Sequence, residues 1–276
     1  MSGKILSDFW KGDNQMKWID CSACIGLDSI NRVIVNHEDY YVHEKVRQAE
    51  HAADLLSEMD FCGVDEAFVY HQGMVENDPG YGNKLISDEV SASPNRLHAT
   101  WAILPPITEN EYLPERLIPE MKKNNVFALR TYPVKNRYFL DRITMGELLD
   151  AMIERNIPLY LSPQDGWQFI FDALKEFPKL TVIITNYGLW GSDRFFFPLI
   201  KAYKNVYIDT SDYQVIDGIN KFYNTFGDER LLFGSNYPMD YFGGPITALI
   251  SSDLPEASLE KIASGNITRI MSEVRL

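Results

Sequence analysis

Eight short, β-prone apolar runs recur along the chain, and their alternation with helix-like segments restricts the fold more than any single residue does. The runs are MKWIDCSA (16–23), DEAFVYH (65–71), LHATWAIL (97–104), VFALRTY (126–132), IPLYLS (157–162), LTVIIT (180–185), NVYIDT (205–210) and RLLFGS (230–235). Between them, VRQAEHAADLLSEM (46–59), LPERLIPEMKK (113–123), MGELLDAMIER (145–155), WQFIFDALKEF (167–177) and VIDGINKFYNTF (215–226) carry apolar residues at helical spacing. Parallel strands need a crossover between them, usually a helix, so this alternation implies a parallel sheet. Eight units in 276 residues match a single-domain α/β (β/α)8 TIM barrel over 17–276, preceded by an N-terminal extension at 1–16. No G-x-G-x-x-G follows the first run, so the dinucleotide-binding fold has no fingerprint here.

The formal net charge of −13 opposes nucleic-acid phosphates and anionic lipid surfaces, both of which require a basic face. Neither nucleic acid nor membrane is an expected partner. The first residues, MSGKILSDFWKGDNQMKW, contain no apolar core of a signal peptide, and no stretch of 18 apolar residues occurs, so a cytoplasmic location is expected. Three cysteines (Cys21, Cys24, Cys62) make no disulfide framework and agree with a reducing compartment.

In a barrel of this kind the site lies where the strands end. The residues closing the runs include Ser22, Cys24, Tyr70, His71, Trp101, Arg130, Tyr132, Ser162, Asn186, Asp209, Ser211 and Asn236. Strand alternation puts Ser22 and Cys24 on one face, toward the mouth, with Cys21 outward against a helix. The Cys-x-x-Cys spacing of Cys21 and Cys24 then makes neither a redox pair nor half of a zinc ribbon, which would need a second pair of cysteines.

The order of these strand ends resembles the amidohydrolase superfamily, specifically the amidohydrolase-2 branch that includes aminocarboxymuconate semialdehyde decarboxylase-like enzymes. IDCSACIG (19–26) is similar to the family's first strand, NIPLYLSP (156–163) to the fifth, LTVIITNYG (180–188) to the sixth, VYIDTS (206–211) to the seventh and RLLFGSNYP (230–238) to the eighth; IASGNITRI (262–270) is similar to its closing motif. The resemblance runs from about residue 17 to 276. It implies a divalent-ion site, yet Ser22, Cys24, Ser162, Asn186 and Asn236 stand where the family has imidazoles and a carboxylate. Hydroxyls and amides are weak, neutral donors, so no metal and no other cofactor is expected.

Chemistry then falls to other groups. Cys24 and His71, on adjacent strands, are the candidate catalytic pair of thiol and imidazole. Of the five histidines, His98 opens its strand at the opposite end, His51 lies in a helical segment, and His37 and His43 lie in a polar loop. Arg130 is the candidate anchor for a substrate carboxylate, with Tyr132, Trp101, Tyr187 and Tyr237 lining the cavity; Asp209 and Asp240 are candidate acids or bases. Two functions remain open. One is a metal-independent hydrolase or decarboxylase of a small carboxylated substrate. The other is a catalytically inactive homologue that binds a small organic acid or a partner through the retained pocket. The resemblance also implies that a homo-oligomer is common.

Overall fold

A computed structural model describes residues 16–26, 49–186, 192–213 and 217–276. Eight parallel strands follow one another in sequence order around the sheet: β1 (Ile19–Ile25), β2 (Glu66–His71), β3 (Leu97–Ala102), β4 (Ala128–Arg130), β5 (Leu159–Leu161), β6 (Val182–Ile184), β7 (Val206–Asp209) and β8 (Leu231–Leu232). Backbone bonds from Cys21 N to Phe233 O (2.9 Å), Asn236 N to Ser22 O (3.2 Å) and Cys24 N to Tyr237 O (2.8 Å) join the last strand region to the first. The alternation in the sequence therefore becomes a (β/α)8 barrel.

The long helices between strands are α1 (Ala52–Cys62), α2 (Pro79–Val90), α3 (Pro114–Lys123), α4 (Arg142–Arg155), α5 (Trp167–Glu176), α6 (Asp193–Ala202) and α7 (Gly218–Phe226), with α8 (Gly243–Ile250) after β8. Their ends follow from local chemistry. Asp78 and Asp141 cap α2 and α4 by accepting from Tyr81 N (2.9 Å) and Thr144 N (2.8 Å), which satisfies donors that a helix start leaves bare. Gly63, at φ +76°, ends α1 in the left-handed conformation that glycine adopts without steric cost.

Side chains sort into two layers. Ala23, Val69, Leu129, Leu159, Val182 and Ile208 pack outward against the helices. Ile19, Phe68, Ala128, Tyr160, Ile183, Tyr207 and Leu232 fill the interior, where Ile267 and Ile270 of the C-terminal helix Asn266–Ser272 join them. Cys21 belongs to this inner layer, which corrects its expected outward orientation. The cause is an extra residue in β1: Asp20 pairs with Ala67 but Ala23 with Val69, so β1 spends three steps where β2 takes two. His98 sits at the strand starts, its Nε2 2.7 Å from Glu66, and the His51 ring meets Glu89 at 2.9 Å; both serve the framework. Among the described residues, no helix is long and apolar enough to cross a membrane.

Candidate functional site

A cavity of about 420 Å³ opens where the strands end, lined among others by Tyr70, Arg130, Tyr132, Tyr160, Ser162, Asn186 and Asn236. Arg130 ends β4 and is 4% exposed. Its Nε donates to Thr100 Oγ1 at 2.8 Å and its Nη2 to Ser22 Oγ at 3.3 Å. The guanidinium lies between two aromatic faces, 4.4 Å from the Tyr70 centroid and 4.2 Å from that of Tyr160. No carboxylate among the described residues stands within ion-pair distance of it. A buried cation without a counter-ion is costly unless other groups solvate it, and here ring faces and hydroxyls do so.

Two phenols complete this corner. The hydroxyls of Tyr132 and Tyr160 are buried without a hydrogen-bond partner among the described residues. Burial pushes both, and that of Tyr70, upward from the usual phenol range, so all three keep their protons and remain donors. Beside them, Asp20 and Asp209 are fully buried. Burial raises Asp20 against bonds from Ser235 and Ser22, and raises Asp209 much further despite its bond from Ser211. Gly234 makes room for Asp209: a Cβ there would lie 2.7 Å from its Oδ2.

The five positions where the resemblance places metal ligands are occupied by groups already engaged elsewhere. Ser22 Oγ accepts from Arg130. Cys24 Sγ lies 3.4 Å from Ile25 O and 3.7 Å from Gln72 Oε1, and burial pushes its thiol up to about 12, so it is neutral. Ser162 Oγ accepts from Gln164 N at 3.2 Å, capping a short turn. Asn186 exchanges bonds with Ser211 Oγ at 3.3 Å, and Asn236 Nδ2 donates to Asp240 at 3.0 Å. A divalent ion needs imidazole nitrogen or anionic oxygen and sulfur, and this donor set does not fit it. Among the described residues, no group of three or more histidine, cysteine, aspartate or glutamate side chains could hold one.

The structure separates several residues that the sequence grouped. His71 Nδ1 accepts from Gly73 N at 2.9 Å, and its ring abuts Gly26, so Cys24 and His71 make no hydrogen bond to each other. Burial lowers His71 from the usual imidazole value. Trp101 does not line the cavity. In β3 it pairs with the outward Leu129 while Thr100 faces Arg130, so its Nε1 donates to Ser87 on α2 at 2.9 Å in a separate crevice outside the barrel. Tyr237 is 1% exposed and stacks on Phe242 with centroids 4.6 Å apart, which places it in the packing layer. Arg130, Tyr132, Ser162, Asn186 and Asn236 do meet in one cavity. Tyr187, His37 and His43 lie outside the described residues.

Tyr70, which closes its run, does line the cavity, whereas Thr100 and Tyr160 were not among the expected site residues. Their signal was parity: the inward position of Arg130 fixes those of its neighbours on β3 and β5. A further pair flanks the mouth, where Asp212 is pushed up to about 6 by burial and by the facing Asp240 carboxyl.

Comparison with known proteins agrees with this architecture. The sequence matches no curated protein. Among solved structures, 5-carboxyvanillate decarboxylase from Sphingomonas paucimobilis superposes with TM-score 0.68 at 14% identity, covering 94% of this chain and 100% of that one. A dihydroxybenzoic acid decarboxylase from Polaromonas sp. JS666, solved with manganese and 2-nitroresorcinol, gives 0.72 at 13% identity over 94% and 98%. The 4-oxalomesaconate hydratase of Rhodopseudomonas palustris gives 0.63 at 19% identity over 93% and 96%. At such identities the likeness establishes the barrel alone. The sequence profile of the Amidohydrolase family, however, matches residues 85–271, from within α2 to the C-terminal helix. With the profile spanning most of the barrel described above, the chain belongs to the Amidohydrolase family.

Proposed function

We propose that this protein binds a small carboxylated molecule, of the size of a hydroxybenzoate, in the barrel-mouth cavity, with its carboxylate on Arg130. The observation that carries this reading is a buried guanidinium without an ion-pair partner among the described residues, lining a cavity of about 420 Å³. That volume falls in the ordinary range for small-molecule sites. The fork of a guanidinium matches a carboxylate in two parallel bonds, and a dry setting strengthens them. The hydroxyls of Tyr132 and Tyr160 supply further donors of the right sign. Decarboxylases of aromatic acids share the fold, and one has been solved with 2,6-dihydroxybenzoate, which supports the choice of ligand class.

Binding without turnover is the reading best supported, because the Cys24 thiol is neutral and has no imidazole partner among the described residues. The second reading, metal-independent hydrolysis or decarboxylation, is favoured by one observation. Asp212, facing Asp240 near the mouth, has its carboxyl pushed up to about 6, toward the range an acid–base group requires. Calorimetric titration of the protein with benzoate and 2,6-dihydroxybenzoate tests the proposal, and heats indistinguishable from buffer for both acids and for a panel of small aliphatic acids would refute it. Carbon dioxide release from bound 2,6-dihydroxybenzoate would select the second reading.

A further inference from the structure

The donor set at the mouth disagrees with the divalent ion that the family resemblance implies, and the disagreement has a physical content of its own. We infer that the Arg130 guanidinium is the resident cation of this barrel, seated among the substituted ligand positions, and that it excludes a divalent ion from them. The inference deepens the reading above and rests on it only for the sign of the ligand's charge.

Arg130 occupies the right place. Arg130 crosses from β4 to donate to Ser22 on β1, one of the five positions, and opens onto the same cavity as three others, Ser162, Asn186 and Asn236. Its seat is built for a cation. Two tyrosine rings sandwich the guanidinium, Thr100 and Ser22 accept from it, and no carboxylate among the described residues lies close enough to pair with it. A guanidinium stays protonated at every pH a folded protein meets, so this charge cannot be relieved by losing a proton. The buried Asp20 and Asp209 make no ion pair with it, and burial raises both, which disfavours their charged forms.

A second cation would meet both repulsion and weak ligands. A dication entering the cavity would approach a fixed like charge in a medium that screens it poorly. At the five substituted positions it would find only hydroxyl, amide and neutral thiol groups, each already hydrogen-bonded within the protein, and the one carboxyl on the cavity wall among the described residues, Asp165, is raised by burial and so less ready to ionise. Such donors offset little of an ion's dehydration. Repulsion and weak ligation therefore act together, and the substitutions and the arginine form one consistent arrangement.

The test begins with the unmodified full-length protein. Dialysis against manganese or zinc chloride, followed by elemental analysis, is expected to leave less than about a tenth of an ion per chain, with no rise in melting temperature. One tightly held ion per chain with Arg130 in place would overturn the inference. Two variants then separate the roles of charge and ligands. Ser22→His/Cys24→His/Asn236→Asp restores imidazole and carboxylate while keeping Arg130; the second variant adds Arg130→Met. Manganese is expected to bind the second at least about 100-fold more tightly than the first, and equal affinities would refute exclusion by the arginine. Should either variant fail to fold, chemical rescue of Arg130→Ala takes its place. Guanidinium at low millimolar concentration is expected to raise the variant's melting temperature while manganese does not; rescue by manganese alone would refute the inference. Where the unmodified protein neither binds benzoate nor retains an ion, the ligand assignment fails and the cation assignment stands; where it does both, the reverse holds.

Discussion

The guanidinium carbon of Arg130 lies 4.2 Å from the centroid of the Tyr160 ring, whose hydroxyl is buried without a hydrogen-bond partner among the described residues. The ring face solvates the cation while the ring's own polar atom goes unsatisfied. Tyr160→Phe keeps the face and deletes the orphan. It is expected to raise stability by about 1 kcal/mol in urea denaturation and to weaken benzoate binding, since the hydroxyl is a donor held for the ligand. A variant that loses stability would place a partner on that oxygen in the free protein.

Arg130→Met removes the charge while keeping an unbranched apolar stem. Affinity for benzoate is expected to fall by about 2 to 4 kcal/mol, read by calorimetry, because the carboxylate loses its charged partner in a buried site. Unchanged affinity would remove Arg130 from the ligand.

Much of the fold was legible in the sequence, and much of the site was not, for reasons visible in particular residues. Each of the eight apolar runs contains or overlaps a strand, since apolar composition and spacing report burial directly. The observed strands are shorter: VFALRTY yields only Ala128–Arg130, because pairing ends where the chain turns into the loops that build the mouth. The direction of a side chain depends on parity, which one added residue reverses. The bulge in β1 brings both Cys21 and Ser22 inward, and no composition or spacing rule reveals it. Trp101 was assigned to the mouth from its place at the end of a run, whereas Thr100 holds the inward position.

That correction has its own test. Trp101→Phe loses the bond to Ser87 and part of the packing volume outside the barrel, so it is expected to cost about 1 to 2 kcal/mol of stability. Benzoate affinity should stay within about twofold of the original, as expected for sites that share no partner. A large loss of affinity would return Trp101 to the cavity.

Thiol chemistry follows from burial. At a value of about 12, Cys24 presents about a thousandfold fewer thiolates near neutral pH than an ordinary cysteine. Iodoacetamide followed by peptide mass mapping is expected to label Cys62, which is partly exposed, and to spare Cys21 and Cys24 in the folded protein. Rapid labelling of Cys24 would reveal an activated nucleophile and favour catalysis.

Stability should also report the pair of acids beside the mouth. Asp212 is raised by burial and by Asp240, so the folded chain holds its proton more tightly than the unfolded chain does. Its contribution is therefore fully present below about pH 4 and is lost as pH rises through about 6. Asp212 is half-buried, and solvent screening reduces the effect to about 1 kcal/mol. Asp240→Asn keeps a polar partner near Asn236 and removes the repulsion, so its melting temperature should exceed the original's above pH 6 or so and converge with it in acid. Parallel melting curves across that range would refute the pairing.

The seat of Arg130 bears finally on how a visitor can arrive. A sphere of charge welcomes an oxygen from any bearing, but a flat fork clamped between two rings has its plane set before anything enters. On the proposed binding, an incoming acid must turn to match that plane, so the angle of entry becomes a criterion of recognition. Because the fork is part of the polypeptide, its plane is fixed by the fold itself.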